Sequence, residues 1–309
     1  MTGLTSASPE NHPWWRLSDS ATEFPQHNSV DSLPLLVVES PLCRSVIAPQ
    51  GAQLLTHTSY GRTTSNNDQL LWLSPTALFV RGKPLRGGVP LCLPWFGPHN
   101  EPGKPQHGFA RNEDWQLLGA QADSDGNVVL SWGFGQYASQ PHPEFPWRFS
   151  ARLTMTLGTR IELGLEIQNC DTSPMPLSWA LHSYHPVSDL AAVRVRGLAG
   201  CDFLDNTRQL ERRRQQGDVQ FNGELDRIYL SVPDEQIIAT EPALAIRGSN
   251  CPSAIVWNPG YDKAAALADV GAEHGQEFIC LERGNAGTNA LSLDAGASHR
   301  ASVSIGVTG

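Results

Sequence analysis

Residues 147–168 read WRFSARLTMTLGTRIELGLEIQ. Trp147, Phe149, Ala151, Leu153, Met155 and Leu157 alternate with Arg148, Ser150, Arg152, Thr154 and Thr156. A strand turns successive side chains to opposite faces, so a period of two describes a strand with one face in a core and the other in water. Gly158-Thr159 then supplies a Gly-X pair suited to a tight turn, after which Ile161, Leu163, Leu165 and Ile167 alternate with Glu162, Glu166 and Gln168. The stretch predicts a long antiparallel hairpin.

Outward from it, alternating or apolar runs recur at 127–134, 177–184, 193–195, 226–232, 254–257, 277–283 and 301–307, separated by Gly, Pro, Asn and Asp. Helical periodicity is confined to short segments at 207–214 and 262–268. The pattern predicts an all-β fold, a large antiparallel two-sheet sandwich with few short helices. Residues 1–30 are polar and carry Pro9, Pro13 and Pro25. They read as an extended arm with Trp14 and Trp15 as anchors, ahead of a single domain over 31–309 in which regular structure begins near Leu35.

Composition narrows the function. In 309 residues, 40% apolar side chains with 9 Trp and 10 Phe give ample material for a core. A formal charge of −9 argues against a nucleic-acid or anionic-membrane surface, so an anionic ligand would need a local cluster of arginines. The basic run Arg212-Arg213-Arg214 lacks interleaved aromatics and reads as a solvated loop or helix face. Six cysteines without a C-x-x-C pair offer neither a zinc framework nor a redox motif. The N-terminal residues show no secretory pattern and no apolar run nears the ~20 residues of a membrane span. A cytoplasmic protein with reduced thiols is expected.

Several familiar chemistries drop out. Gly133-Phe134-Gly135-Gln136-Tyr137-Ala138 fits a relaxed dinucleotide fingerprint, but Pro141, Pro143 and Pro146 forbid the helix it needs. His182 and His185, with His107 as a third, suggest a metal, yet residues three apart on a strand point to opposite faces. No metal site is expected, and no G-x-S-x-G elbow is present.

Residues 86–111 stand apart: RGGVPLCLPWFGPHNEPGKPQHGFAR can hardly be a helix or a central strand. Arg86 precedes Gly87-Gly88 and Arg111 follows His107-Gly108-Phe109-Ala110. Guanidinium forks beside small residues suit a phosphate or carboxylate approached closely by backbone. The residues alone equally fit two structural arginines paired with acidic neighbours such as Glu113 or Asp114.

RGGVPLCLPWFGP at 86–98 followed by QHGFARNEDW at 106–115 resembles the signature of the glucose-6-phosphate 1-epimerases, hexose-6-phosphate mutarotases of the galactose mutarotase-like superfamily. ALHSYHPVSDL at 180–190, VRGLAG at 195–200, LDRIYL at 225–230, VWNPGYDKAAALADVG at 256–271 and ICLERGNA at 279–286 follow in the same order. The resemblance implies a β-supersandwich with loops from one face forming the substrate site. It places a catalytic histidine at His182, a catalytic glutamate at Glu282, and substrate contacts at Arg86, Gln106, Arg111 and Asp226, with His107 beside them in the QHGFAR motif. Two positions depart from the pattern. His185 stands where an aromatic is usual and would alter the sugar pocket, and Arg283 stands where a small residue is common and would pair with Glu282 or add charge for the phosphate.

The implied reaction exchanges α and β anomers of hexose 6-phosphates through ring opening and closure. It needs one base and one acid and no cofactor. Glu282 would be the base on O1 and His182 the acid on the ring oxygen, with the imidazole protonated as substrate arrives. Residue chemistry alone also fits His182 as a satisfied, half-buried histidine and Glu282 as an inward charge paired with an arginine. The alternatives are an aldose 1-epimerase of unphosphorylated sugars and a non-catalytic sugar-phosphate binder; the presence of both His182 and Glu282 speaks against the binder. A monomer with a hexose 6-phosphate as its partner is expected.

Overall fold

The computed structural model describes residues 12–27, 31–60, 67–99 and 101–308. The predicted hairpin is there: Phe149–Leu157 pairs antiparallel with Ile161–Asn169, with Leu157 opposite Ile161. It forms the middle of an 8-stranded sheet, flanked by Val128–Phe134 on one side and Ser298–Val307 on the other. Phe149, Ala151, Leu153, Met155 and Leu157 are buried while the residues between them reach solvent, as the alternation requires.

A second 8-stranded sheet carries Asp202–Asp205, Leu225–Tyr229, Ser253–Asn258, Phe278–Asn285 and Trp179–Leu181 as successive neighbours. A 5-stranded sheet runs from Trp15–Asp19 through Pro34–Glu39, Cys43–Ala48 and Gln53–Tyr60 to Asn67–Gln69. One apolar core joins all three, taking Leu153 and Leu163 from the first sheet, Val256 and Leu281 from the second, and Leu36 and Ile47 from the third. The second sheet also buries its other face, with Ile228 and Ile255 in one smaller cluster and Trp257, Phe278 and Cys280 in another. No helix among the described residues is long and apolar enough to cross a membrane.

Three expectations need correction. Regular structure begins at Trp15 rather than near Leu35: Trp15–Asp19 pairs with Pro34–Glu39, and Asp19 caps the helix Ser20–Glu23 by accepting from the Thr22 amide at 2.9 Å. Trp15 lies in the core, so these residues belong to a sheet; residues 1–11 and 28–30 of the expected arm fall outside the described residues. The segment 207–214 is not a helix. Asn206–Arg208 is a 3-10 turn and Glu211–Arg214 an exposed edge strand pairing with Asp202–Asp205. Arginine tolerates either geometry, and a row of charges on an edge blocks further pairing. The helical reading of 262–268 overlaps the observed helix Gly260–Ala266.

Arg283 is 1% exposed and lies on the core side of Phe278–Asn285. Its Nη1 donates to the carbonyls of Pro233 at 3.1 Å and Asp234 at 3.0 Å and to Gln236 Oε1 at 2.6 Å, and its Nη2 to the Cys251 carbonyl at 2.8 Å. It clamps the second sheet to the loops beneath it and to strand Glu235–Ile238 of the first sheet. Arg283→Met should therefore lower the unfolding free energy by roughly 3 kcal/mol, because buried acceptors lose their donor. Urea denaturation checks this, and a loss under about 1 kcal/mol would show that the clamp is dispensable.

Candidate active site

Trp179–Leu181 and Tyr184–Pro186 both pair with Phe278–Asn285, Leu181 opposite Arg283 and Tyr184 opposite Cys280. Both pairings follow one register, which puts His182 opposite Glu282 on the same side of the sheet. Their side chains meet there, with His182 Nδ1 3.3 Å from Glu282 Oε1. The approach is close but not aligned as a hydrogen bond: that nitrogen and both carboxylate oxygens are buried without a hydrogen-bond partner. The His182 ring lies flat on Tyr184, with centroids 4.8 Å apart and planes 8° apart, and edge-on to Trp257 at 5.9 Å. Stacking thus fixes the plane of the imidazole.

The irregular segment is laid along the backbone of these residues. The His182 amide donates to the Pro90 carbonyl and the Tyr184 amide to the Gly88 carbonyl, each at 2.9 Å. Two of the segment's glycines are required by close approach to other backbone. At Gly88, with φ +64°, a Cβ would stand 2.1 Å from the Leu54 carbonyl oxygen; at Gly108, with φ +68°, it would stand 1.9 Å from that of Leu93.

Between segment and sheet lies a cavity of about 890 Å³. Every residue named from the sequence lines it: His182, Glu282, Arg86, Gln106, His107, Arg111 and Asp226. Arg86 Nε donates to Asp269 Oδ2 at 3.0 Å and its Nη1 to the Tyr184 hydroxyl at 3.1 Å. Burial works against its charge, but Tyr184 and Asp269 outweigh that and hold the guanidinium protonated. Arg111 donates from Nη2 to the Gln106 carbonyl at 3.0 Å, and its Nε has no partner. Neither arginine pairs with the acidic neighbours considered from sequence, since Asp114 is bound to Arg81 at 2.7 Å and Glu113 lies 3.8 Å from His142. Asp226 accepts from Asn206 Nδ2 at 2.6 Å, and burial raises its pKa. His107 Nδ1 accepts from the Gly97 amide at 3.2 Å, which leaves its ring proton on Nε2. Burial, then Arg111 and Arg86, push its pKa down to about 3.

The facing pair is electrostatically unusual. Burial, then Asp226, raise the pKa of Glu282 well above the ordinary carboxylate value, with Arg111 opposing. Burial, then His107, Arg111 and Arg86, lower that of His182 well below the ordinary imidazole value. Both shifts favour the uncharged forms, a carboxyl group beside a neutral imidazole. Burial, His107 and the two guanidiniums disfavour an imidazolium here, so the protonated His182 expected as substrate arrives depends on the negative charge that the substrate brings.

The two departures are also corrected. His185 faces away from the cavity and is fully buried, its Nδ1 3.0 Å from the Leu70 carbonyl and its Nε2 3.0 Å from Ser183 Oγ. It shapes no sugar pocket. Arg283, clamped in the core, neither pairs with Glu282 nor lines the cavity. The cavity walls also include Tyr184, Asn206, Trp257 and Asp269, which sequence reasoning left unassigned. Tyr184, Trp257 and Asp269 lie inside the segments 180–190 and 256–271 that carry the resemblance. The parity of Tyr184 with His182 was the available signal for the first.

A β-sandwich that sets a carboxyl group against an imidazole on the floor of a polar, aromatic-walled cavity defines an enzyme of the mutarotase class, an isomerase. The chain belongs to the aldose 1-epimerase family, whose sequence model matches residues 34–306. It is 33% identical over 257 residues to an Escherichia coli (strain K12) protein provisionally named glucose-6-phosphate 1-epimerase, covering 82% of this chain and 83% of that one. It is 36% identical over 238 residues to a protein of Cenchrus ciliaris with the same provisional name, covering 72% and 71%. Among solved structures it resembles a provisionally assigned mutarotase from Salmonella typhimurium, with a TM-score of 0.80, 29% identity and coverage of 89% and 90%. A galactose mutarotase-like protein from Lactobacillus casei shares the fold, with a TM-score of 0.64 at 16% identity over 89% of this chain and 100% of that one.

The raised pKa of Glu282 has a consequence for stability. A carboxyl group whose folded pKa exceeds its unfolded value contributes fully below the unfolded value, here 4.5, and loses that contribution as pH rises towards the folded one. Glu282→Gln, which is neutral at every pH, should gain stability over the wild type as pH rises from 5 to 7.5. Urea denaturation across that range decides it, and a pH-independent difference would mean that Glu282 is ionised in the folded protein.

Proposed function

We propose that the chain interconverts the α and β anomers of hexose 6-phosphates, glucose 6-phosphate among them, with Glu282 and His182 as the catalytic pair. One observation carries the reading: the carboxyl group and imidazole face each other at 3.3 Å with their polar atoms otherwise unpartnered, in a cavity that also holds Arg86 and Arg111. The names of the relatives support the phosphorylated substrate.

The pair holds one exchangeable proton. A sugar hydroxyl supplies the hydrogen bond that the Glu282 oxygens lack, and the incoming phosphate dianion favours a cation nearby. Both effects move the proton from Glu282 to His182. Glu282 then takes the proton of the C1 hydroxyl while His182 delivers one to the ring oxygen, and the C1–ring oxygen bond breaks to leave a free aldehyde. That step returns the pair to the uncharged form that the buried cavity favours, so the surroundings assist ring opening. Rotation about C1–C2 and the reverse transfers close the other anomer. Asp226 and Gln106 meet hydroxyl groups, and Trp257 offers an apolar surface to the ring.

Arg111 is the better phosphate ligand, because Asp269 and Tyr184 already occupy much of the Arg86 fork. The enzyme works as a monomer in the cytoplasm, a setting that its free thiols fit.

Two expected outcomes follow. His182→Asn and Glu282→Gln should each lower turnover by about 10²–10⁴-fold while sugar-phosphate binding persists. Anomer exchange measured by NMR tests this, and a near-normal rate in either variant would remove that residue from the mechanism. Arg111→Ala should lower kcat/KM for glucose 6-phosphate by roughly tenfold to a hundredfold, through loss of a charge-assisted contact, and leave free glucose almost untouched. Equal losses on both sugars would favour an epimerase of unphosphorylated sugars, with the arginine serving structure.

A further inference from the structure

A third ligand-bearing side chain lies behind the catalytic pair. Cys280 precedes Glu282 by two residues on Phe278–Asn285 and so shares its face of the sheet. Its Sγ, a ring nitrogen of His182 and a carboxylate oxygen of Glu282 all lie within 4.8 Å of one another. The 3.3 Å between His182 Nδ1 and Glu282 Oε1 is about the ligand-to-ligand distance of a tetrahedral ion with bonds of roughly 2.0–2.1 Å.

More than proximity points to an ion. Glu282 is fully buried, lines the cavity, and has no hydrogen-bond partner at either oxygen; His182 Nδ1 has none either. Buried polar atoms are normally satisfied, and a cation would satisfy all three at once. The donor set selects the ion. Thiolate, imidazole and carboxylate suit a borderline-soft divalent metal such as Zn²⁺, whereas Mg²⁺ and Ca²⁺ require a shell of oxygens. Coordination takes the thiol and carboxyl groups as anions, so a divalent ion leaves the buried cluster neutral. Three protein ligands leave the fourth position facing the cavity.

We propose that His182, Cys280 and Glu282 form an inhibitory Zn²⁺ site on the cavity floor. The metal occupies the nitrogen lone pair and the carboxylate that proton exchange requires, so the metal-free protein is the active form and sugar phosphate competes with the ion. The inhibition rests on the proposed function; the binding does not.

Co²⁺ titration of the EDTA-treated full chain, followed by absorption, reads the site directly. One equivalent should produce a thiolate-to-cobalt charge-transfer band that Zn²⁺ or saturating glucose 6-phosphate abolishes. Zn²⁺ should inhibit anomer exchange and EDTA should restore it. Cys280→Ser and Cys280→Ala should keep the uninhibited rate, lose the band, and need at least about tenfold more Zn²⁺ for half-inhibition. Absence of the band in the wild type, a band indifferent to sugar phosphate, or unchanged Zn²⁺ sensitivity in the cysteine variants would each overturn the site. The wild-type arms decide the matter even if a variant fails to fold. Full anomer exchange without the band would sink the metal site alone; a competed band in a protein that exchanges no anomers would sink the proposed function and leave the site standing.

Discussion

Strand Phe278–Asn285 has water on neither side. Ile279 and Leu281 enter the main core, while Phe278 and Cys280 pack under the loops that cover the other face. A strand in the middle of an open antiparallel sheet ordinarily keeps one face wet. Here Gly88 and Pro90 run along Tyr184 and His182, the helix Gly260–Ala266 packs on Phe278 and Cys280 through Ala264, and Glu282 lies buried on the cavity floor with His182 opposite. The proposed chemistry depends on this double burial. In water the same carboxyl group would already be ionised near neutral pH, about two pH units below the imidazole, and would hold no proton to exchange with it.

Burial at this position is costly, and the fold sustains it by strength elsewhere. The hairpin Phe149–Leu157 with Ile161–Asn169 anchors a large apolar core, and Arg283 ties the active strand to loops on the core side. Adjacent residues of one strand thus do opposite things. Glu282 faces a cavity with its polar atoms unsatisfied, while Arg283 has its charge dispersed over three carbonyls and an amide oxygen. Unpartnered polar atoms concentrated at one place are what a functional site looks like energetically, because a ligand recovers what folding gave up.

Much of this was legible in the sequence because the periods are clean. Alternation from Trp147 to Ile167 identifies the hairpin without ambiguity, and strand parity separates His182 from His185. The seven residues named for the site converge on one cavity because the motifs that hold them are contiguous and carry local backbone demands, as at Gly108. What stayed hidden is long-range. The partner of Arg86, Asp269, lies 183 residues away, and nothing near Arg283 in the chain announces the carbonyls of Pro233 and Cys251. The strand at Trp15–Asp19 was missed because WRLSD is short and flanked by prolines, and only its pairing with Pro34–Glu39 makes it a strand.

By the proposed mechanism a buried proton pair opens and recloses the ring of a hexose 6-phosphate without touching its carbon-bound hydrogens. Two-dimensional exchange NMR on glucose 6-phosphate in D₂O tests it most directly. Enzyme-dependent exchange between the α and β anomeric protons is expected, with both the C1 and C2 hydrogens retained. No exchange above the uncatalysed rate, or deuterium incorporation at C2, would contradict it.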